Sequence, residues 1–220
     1  PSPICVPARA SIATGLYVHE NRCWTNAMPY SGQSRSWHHE LRESGRDIVS
    51  IGKLHFKNME EANGFSEEII PVHIKDGKGW IHGLMRERTD LFDASGFAAN
   101  IGPGIDPYTD YDRKVCELAQ EWLVEKSKTS PEGGWCLFLS FLRPHYPLTC
   151  PPEFYEMYNP KDLPQPRQES TPLELIHPVL KNLQKACDYD ASFTKESRQV
   201  AIASYYGLCS FIDSLVGKIT

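Results

Sequence analysis

The spacing of apolar and polar positions divides the chain into segments with different periods. "PARASIAT", 7–14, predicts a helix: Pro7 suits a first turn, where its missing N–H costs nothing, and Gly15 supplies the stop. "SWHHELRESG", 36–45, predicts a short amphipathic helix with a glycine stop, and "DIVSIG", 47–52, a short buried strand. In "VCELAQEWL" the residues Val115, Leu118, Ala119, Trp122 and Leu123 share one helical face. "GGWCLFLSFLRPH" predicts a buried strand running into Arg143-Pro144-His145. "PPEFYEMY", 151–158, predicts a short helix opened by proline. From Ser197 onward Ala201, Tyr205, Leu208, Ile212, Leu215 and Ile219 keep helical spacing to the end. Segments 57–110 and 160–190 are rich in turn-forming residues and are expected to be irregular excursions that shape a site. Apolar strands between amphipathic helices argue for an α/β fold, with a mainly parallel sheet sandwiched by helices. No internal repeat is present.

Composition narrows the partners. The 220 residues are enough for one large domain with a substantial core, and 40% hydrophobic with 23% charged residues is ordinary globular usage. A net charge of −5 disfavours a non-specific nucleic-acid surface. No apolar run is expected to reach membrane-spanning length, so neither nucleic acid nor membrane is an expected partner. The seven cysteines are irregularly spaced, without a C-x-x-C pair. Cys116, Cys136 and Cys209 fall in apolar periodic segments and are expected as core thiols. This usage points to a reducing, cytoplasmic compartment, with a periplasmic or secreted location left open if a leader was trimmed. No signal peptide opens the chain, and Pro1-Ser2-Pro3 does not look like a natural start, so a piece of a longer protein is expected.

Three polar motifs sit where α/β sheets place their sites, beyond strand ends or at a helix start. The first is Cys5-Val6-Pro7-Ala8-Arg9, where free N–H groups and the helix dipole favour an anion and lower a thiol pKa. The second is Gly52-Lys53-Leu54-His55; Lys53 and His55 fall on one side if the chain stays extended. The third is Arg143-Pro144-His145-Tyr146-Pro147, in which two prolines stiffen the histidine. A nucleophile, cationic groups and histidines could together surround a tetrahedral oxyanion. Taken singly, each residue has a plainer reading: Cys5 as a small buried hydrophobe, Arg9 on a helix surface, and Lys53, His55 and His145 as loop residues. His38-His39 is expected at the surface, since helix neighbours face different ways.

The three motifs in this order resemble the sulfatase family, of the alkaline-phosphatase-like fold. Cys5-x-Pro7-x-Arg9 followed by "ASIATG" is similar to the sulfatase signature, Gly52-Lys53-Leu54-His55 to the family's "GK-x-H" element, and "RPHYPL" to its histidine loop. "HENRCWTNAMPY" resembles the segment after the signature in the bacterial choline-sulfatase-like and phosphonate-monoester-hydrolase-like subgroup, and "YYGLCSFIDSLVGKI" the helix before the family's late metal site. The resemblance implies hydrolysis of a sulfate monoester, on a small molecule or a saccharide. It implies a formylglycine nucleophile made from Cys5 by a formylglycine-generating enzyme, with Arg9 hydrogen-bonding its hydrate. It further implies that Lys53 and His145 bind sulfate oxygens, that Asn26 contacts the substrate oxyanion, and that His55 is the base that lets sulfate leave. A divalent cation is implied as well, Ca²⁺ with Mg²⁺ or Mn²⁺ as alternatives, held here by the modified Cys5 alone. The family's metal-binding aspartates have no counterpart in this stretch, so 1–220 reads as the central part of a sulfatase catalytic domain. Three alternatives stay open: a phosphonate or phosphate diester hydrolase on the same scaffold, an inactive sulfatase-like binding protein or fragment, and a cysteine hydrolase keeping Cys5 as a thiol. The phosphonate hydrolases carry Tyr and Thr where this chain has Lys53 and His55, which favours the sulfatase.

Overall fold

The computed structural model describes residues 1–79, 95–129, 133–164, 176–187 and 189–220. They fall into two compact units, one formed by Pro1–Met85 and Asp112–Leu142, the other essentially by Arg86–Tyr111 and Arg143–Lys218.

The first unit is built on a three-stranded parallel sheet, ordered β2-β1-β4, from β1 (Asp47–Lys53), β2 (Glu67–Val72) and β4 (Trp135–Ser140). β1 is the central strand. Six of its seven residues are buried, as a strand covered on both faces requires. Its register against β4 sets Ile51 opposite Leu139 and Gly52 opposite Ser140. Gly52 cannot be replaced there. Its φ is +106°, and a Cβ would lie 2.2 Å from the Ser140 carbonyl oxygen. The glycine thus lets β1 and β4 close together just before Lys53. Helices α1 (Cys5–Thr14), α2 (Val18–Asn21) and α3 (Trp37–Glu43) belong to this unit. Apolar residues of α1 and α3 meet Ile48, Leu54, Phe56 and Phe65 in one core with Tyr30 and Cys23.

The second unit contains α4 (Ser95–Ala99), β3 (Ile101–Pro103), β5 (Leu148–Cys150), α6 (Pro152–Tyr155), α7 (Pro178–Cys187) and α8 (Lys195–Ile219). β3 and β5 pair in parallel, with Ile101 opposite Leu148. α5 (Pro107–Ser127) contributes its first turn to this unit and the remainder to the other. Asp106 caps it: the carboxylate accepts the Tyr108 N–H at 2.8 Å, and Pro107 takes the first helical position.

Several expectations need correcting. The segment 57–110 holds β2, α4, β3 and the start of α5, and 160–190 holds α7. β2 reads "EEIIPV", an edge strand with half-exposed positions and a proline, which hides its period. The predicted helix around 115–123 begins eight residues earlier, because Asp106-Pro107 starts it where apolar periodicity is still absent. Cys116 is buried, but Cys136 is only half-buried and Cys209 is exposed. His38 is not at the surface. It is 1% exposed and stacks on Phe65 at 4.2 Å. Among the described residues, α8 is long and apolar enough to cross a membrane by length and composition. Its Ala203, Ser204, Gly207, Leu208, Phe211 and Leu215 are buried within the protein, and Ser204 Oγ accepts the Gly102 N–H at 2.8 Å.

Candidate active site

Cys5 is the first residue of α1 rather than a residue ahead of it. The residue before the helix, Ile4, has no side chain able to cap it, so the cap comes from elsewhere in the chain. Asn26 Oδ1 accepts the Val6 N–H at 3.1 Å, while Asn26 Nδ2 donates to Cys5 Sγ at 3.3 Å. One amide therefore satisfies an orphan N–H of the helix and holds the sulfur. Cys5 is half-buried. Its Sγ stands in for the oxygen of an aldehyde hydrate, if that residue is converted.

Arg9 lies one turn into the helix. Its Nη1 donates to the Lys53 carbonyl at 2.7 Å and to Ser140 Oγ at 3.0 Å. Arg9 thus clamps the carboxyl ends of β1 and β4 side by side and fixes α1 against them. Ser140 was not visible as a candidate in the sequence, because only pairing with Gly52 gives it a place.

Lys53 ends β1 and is 5% exposed. Burial, and secondarily the Arg9 guanidinium, push its pKa below the ordinary lysine value, while Cys5 and Asp112 pull it back up. Among the described residues its ammonium has no hydrogen bond or ion pair. Asp112, also missed from sequence, is fully buried, and its carboxylate accepts the Leu142 N–H at 2.7 Å. That bond fixes the chain just past β4.

His55 departs from the extended course expected for it. Its φ is +60°, rare for a residue with a Cβ, and its N–H donates to the Val72 carbonyl at 2.7 Å. Strand alternation therefore does not place Lys53 and His55 on one side. Such a backbone persists only where its surroundings hold it, and here the end of β2 does so.

His145 belongs to the second unit. Its Nδ1 lies 2.6 Å from the Tyr146 carbonyl. A carbonyl only accepts, so Nδ1 carries the hydrogen and the neutral ring keeps Nε2 as an acceptor. The loop around it is held by Arg143, whose side chain is wholly buried. Arg143 pairs with Asp106 at 2.5 Å and donates to the carbonyls of His145 (2.8 Å), Pro147 and Thr149 (3.2 Å).

The first unit thus brings Cys5, Arg9, Asn26 and Lys53 together, and the second organises His145 by itself. Among the described residues no three His, Cys, Asp or Glu side chains gather to hold a metal ion. Around Cys5 the described groups are the Asn26 amide, whose oxygen is of a type calcium accepts, and the Lys53 ammonium, which is not a ligand.

The family model described as Sulfatase matches residues 1–220. Choline-sulfatase of Rhizobium meliloti is 28% identical over 227 residues, covering 99% of this chain and 44% of its own. Arylsulfatase K of Canis lupus familiaris is 23% identical over 240 residues, covering 99% of this chain and 41% of its own. The fold is similar to that of phosphonate monoester hydrolase of Agrobacterium radiobacter, with a TM-score of 0.69 at 22% identity, over 99% of this chain and 49% of that one. The chain spans about half the length of the relatives it matches.

Proposed function

The chain belongs to the sulfatase family, and from that premise we propose that the protein hydrolyses a sulfate monoester with residue 5 as the nucleophile. The observation that carries this reading is Cys5 at the start of α1, in electrostatic reach of the buried ammonium of Lys53, which has no hydrogen bond or ion pair among the described residues. A helix N-terminus and a desolvated cation together stabilise an anion. Conversion of Cys5 to formylglycine would supply an aldehyde hydrate as nucleophile. Asn26 orients the attacking group, as it now holds the sulfur. Lys53 binds a sulfate oxygen and offsets the charge that builds there. The family resemblance assigns to His145, in its protonated form, the binding of a second oxygen and the return of a proton to the departing alcohol. His55 removes the proton whose loss lets sulfate leave residue 5 and restores the aldehyde.

The similarity in fold to a phosphonate monoester hydrolase supports a second reading, hydrolysis of a phosphonate or phosphate diester at the same site. One experiment separates them. The full-length protein, made with a formylglycine-generating enzyme, is assayed on an aryl sulfate, a phosphate diester and a phosphonate monoester, and its residue-5 peptide is weighed. The sulfatase reading expects a loss of about 18 Da at Cys5 and the highest kcat/KM on the sulfate. Full activity with an unmodified cysteine defeats the formylglycine route, and preference for the diester or phosphonate moves the protein to the second reading. His55→Ala is expected to release one equivalent of phenol from the aryl sulfate and then stall, slowed about 10²–10⁴-fold. Slow phenol release without a burst would remove His55 from that role.

A further inference from the structure

Within the first unit, residues 54–56 and 72–74 are tied backbone to backbone where β1 and β2 end. The Val72 carbonyl accepts the N–H groups of Leu54 (3.3 Å) and His55 (2.7 Å), and the Phe56 carbonyl accepts the N–H of Ile74 (2.9 Å). These bonds bracket His73, so the left-handed turn at His55 moves with that residue. The side chain of His73 fixes it in turn. Its Nε2 donates to Glu68 Oε2 at 2.8 Å, with the two side chains only 11% and 9% exposed. The other oxygen of Glu68 accepts from Asn63 Nδ2 at 2.8 Å, and the same nitrogen donates to the Asn58 carbonyl at 2.9 Å. Asn58 lies three residues past His55. The bonds thus close a circuit around His55. Glu68 stands in β2 opposite Ser50 of β1, which pins the circuit to the central strand.

We infer that Glu68, acting through His73 and Asn63, is a positioning residue for His55. The inference rests on the reading of His55 as the base for sulfate release. A carboxylate is costly to bury unless its oxygens are partnered. Both oxygens of Glu68 are, and each partner sits on chain that leads to or holds the His55 turn. Strand pairing does not need this circuit, because β2 already pairs with β1 through its backbone. What the circuit fixes is the chain leaving β1. A left-handed residue with a Cβ relaxes once its surroundings release it, and a base moved by about 1 Å loses about 10²-fold in the step it serves. Cleavage of the ester, served by residue 5 and Lys53, does not depend on this placement.

The test uses the full-length, converted enzyme with an aryl sulfate. Glu68→Ala should release the first equivalent of phenol at the wild-type rate and then turn over about 10²-fold more slowly, with sulfate retained on residue 5. Glu68→Gln should recover most of the steady rate, since its amide can accept from Asn63 and donate to the other tautomer of His73. Should Glu68→Ala not fold, His73→Phe fills the same space without the donor and carries the same expectation. A purely structural carboxylate would lower Tm and slow both steps alike, or neither; either result overturns the inference. Hydrogen exchange at the His55 amide is measured beside it, and should quicken in Glu68→Ala and return to the wild-type rate in Glu68→Gln. If His55→Ala shows no burst while this exchange pattern holds, the positioning stands and the reading of His55 as base falls. If exchange at His55 is unmoved by Glu68→Ala and His73→Phe, the positioning falls whatever the turnover.

Discussion

Arg143 and Lys53 are both cations, both nearly without exposure, and each lies at or beyond the end of a parallel strand. Their surroundings differ. Arg143 has a carboxylate and several backbone carbonyls fitted to its fork, so its charge is spent inside the second unit and its loop is fixed by it. Lys53 has burial and a second cation, Arg9, beside it, and no partner among the described residues. A buried charge without a partner is unfavourable for folding. It is tolerated where a ligand of opposite charge completes it. On the proposed reading, the difference separates a structural cation from one that receives the sulfate anion.

The largest effect is expected on the paired side. Asp106→Ala leaves Arg143 charged and buried, which costs about 3–5 kcal/mol. The thermal transition of the protein should fall sharply, and Arg143→Lys should not preserve it, because an ammonium cannot match the fork. A variant Asp106→Ala that melts like wild type would break the contrast.

Lys53→Met should act in opposite directions on activity and stability. Sulfate-ester turnover should drop about 10²–10³-fold, the usual effect of removing one group that stabilises a developing anion. The fold should be more stable, by about 1 kcal/mol or more, or roughly 2–4 °C in Tm for a chain of this size. The gain depends on pH. Because the folded state lowers the Lys53 pKa, the wild-type penalty is full below that value and fades as pH rises towards 10.5. The two melting curves should converge in alkali. A Lys53→Met protein less stable than wild type at neutral pH would show a partner that satisfies the lysine.

His38 sharpens the contrast with a third outcome. Burial pushes its pKa down to about 4, while its contact with the Asn63 carbonyl pulls the other way. This group escapes the cost of a buried charge by staying neutral. The unfolded chain takes up the proton near 6.5, so stability is complete above that pH and is lost as pH falls towards 4. The loss amounts to about 3 kcal/mol. Urea titrations of wild type and His38→Gln across this range should diverge by that amount; parallel curves would show that His38 protonates in the folded state.

The smallest effect concerns the neutral cap. Asn26→Ala should cost about 1 kcal/mol by uncapping α1. Asn26→Asp keeps the acceptor for the Val6 N–H but gives up the donor to residue 5. It should recover stability while leaving turnover about tenfold down, one hydrogen bond's worth. Joint recovery of both would reduce Asn26 to a cap.

Much of this was legible in the chain alone. Gly15, Pro7 and the apolar run of β1 encode their elements by local rules, and the parallel α/β character follows from strands alternating with amphipathic helices. Cys5, Lys53, His55 and His145 stood out because polar residues leave apolar segments at those points. Tertiary structure decided the rest. Ser140 and Asp112 gain meaning only when β1 meets β4 across Gly52. Arg9, which the motif alone would aim at residue 5, spends its described contacts on two strand ends. The left-handed turn at His55 is imposed by Val72, seventeen residues on. β2 was hidden because an edge strand needs little apolar alternation when its neighbour supplies the buried face. His38 was misplaced because sequence neighbours reveal which way a helix residue points but not what packs over it. Period and chain punctuation are local properties and survive in one dimension. Burial, pairing of charges and pKa are set by groups distant in sequence, and those only the folded chain brings together.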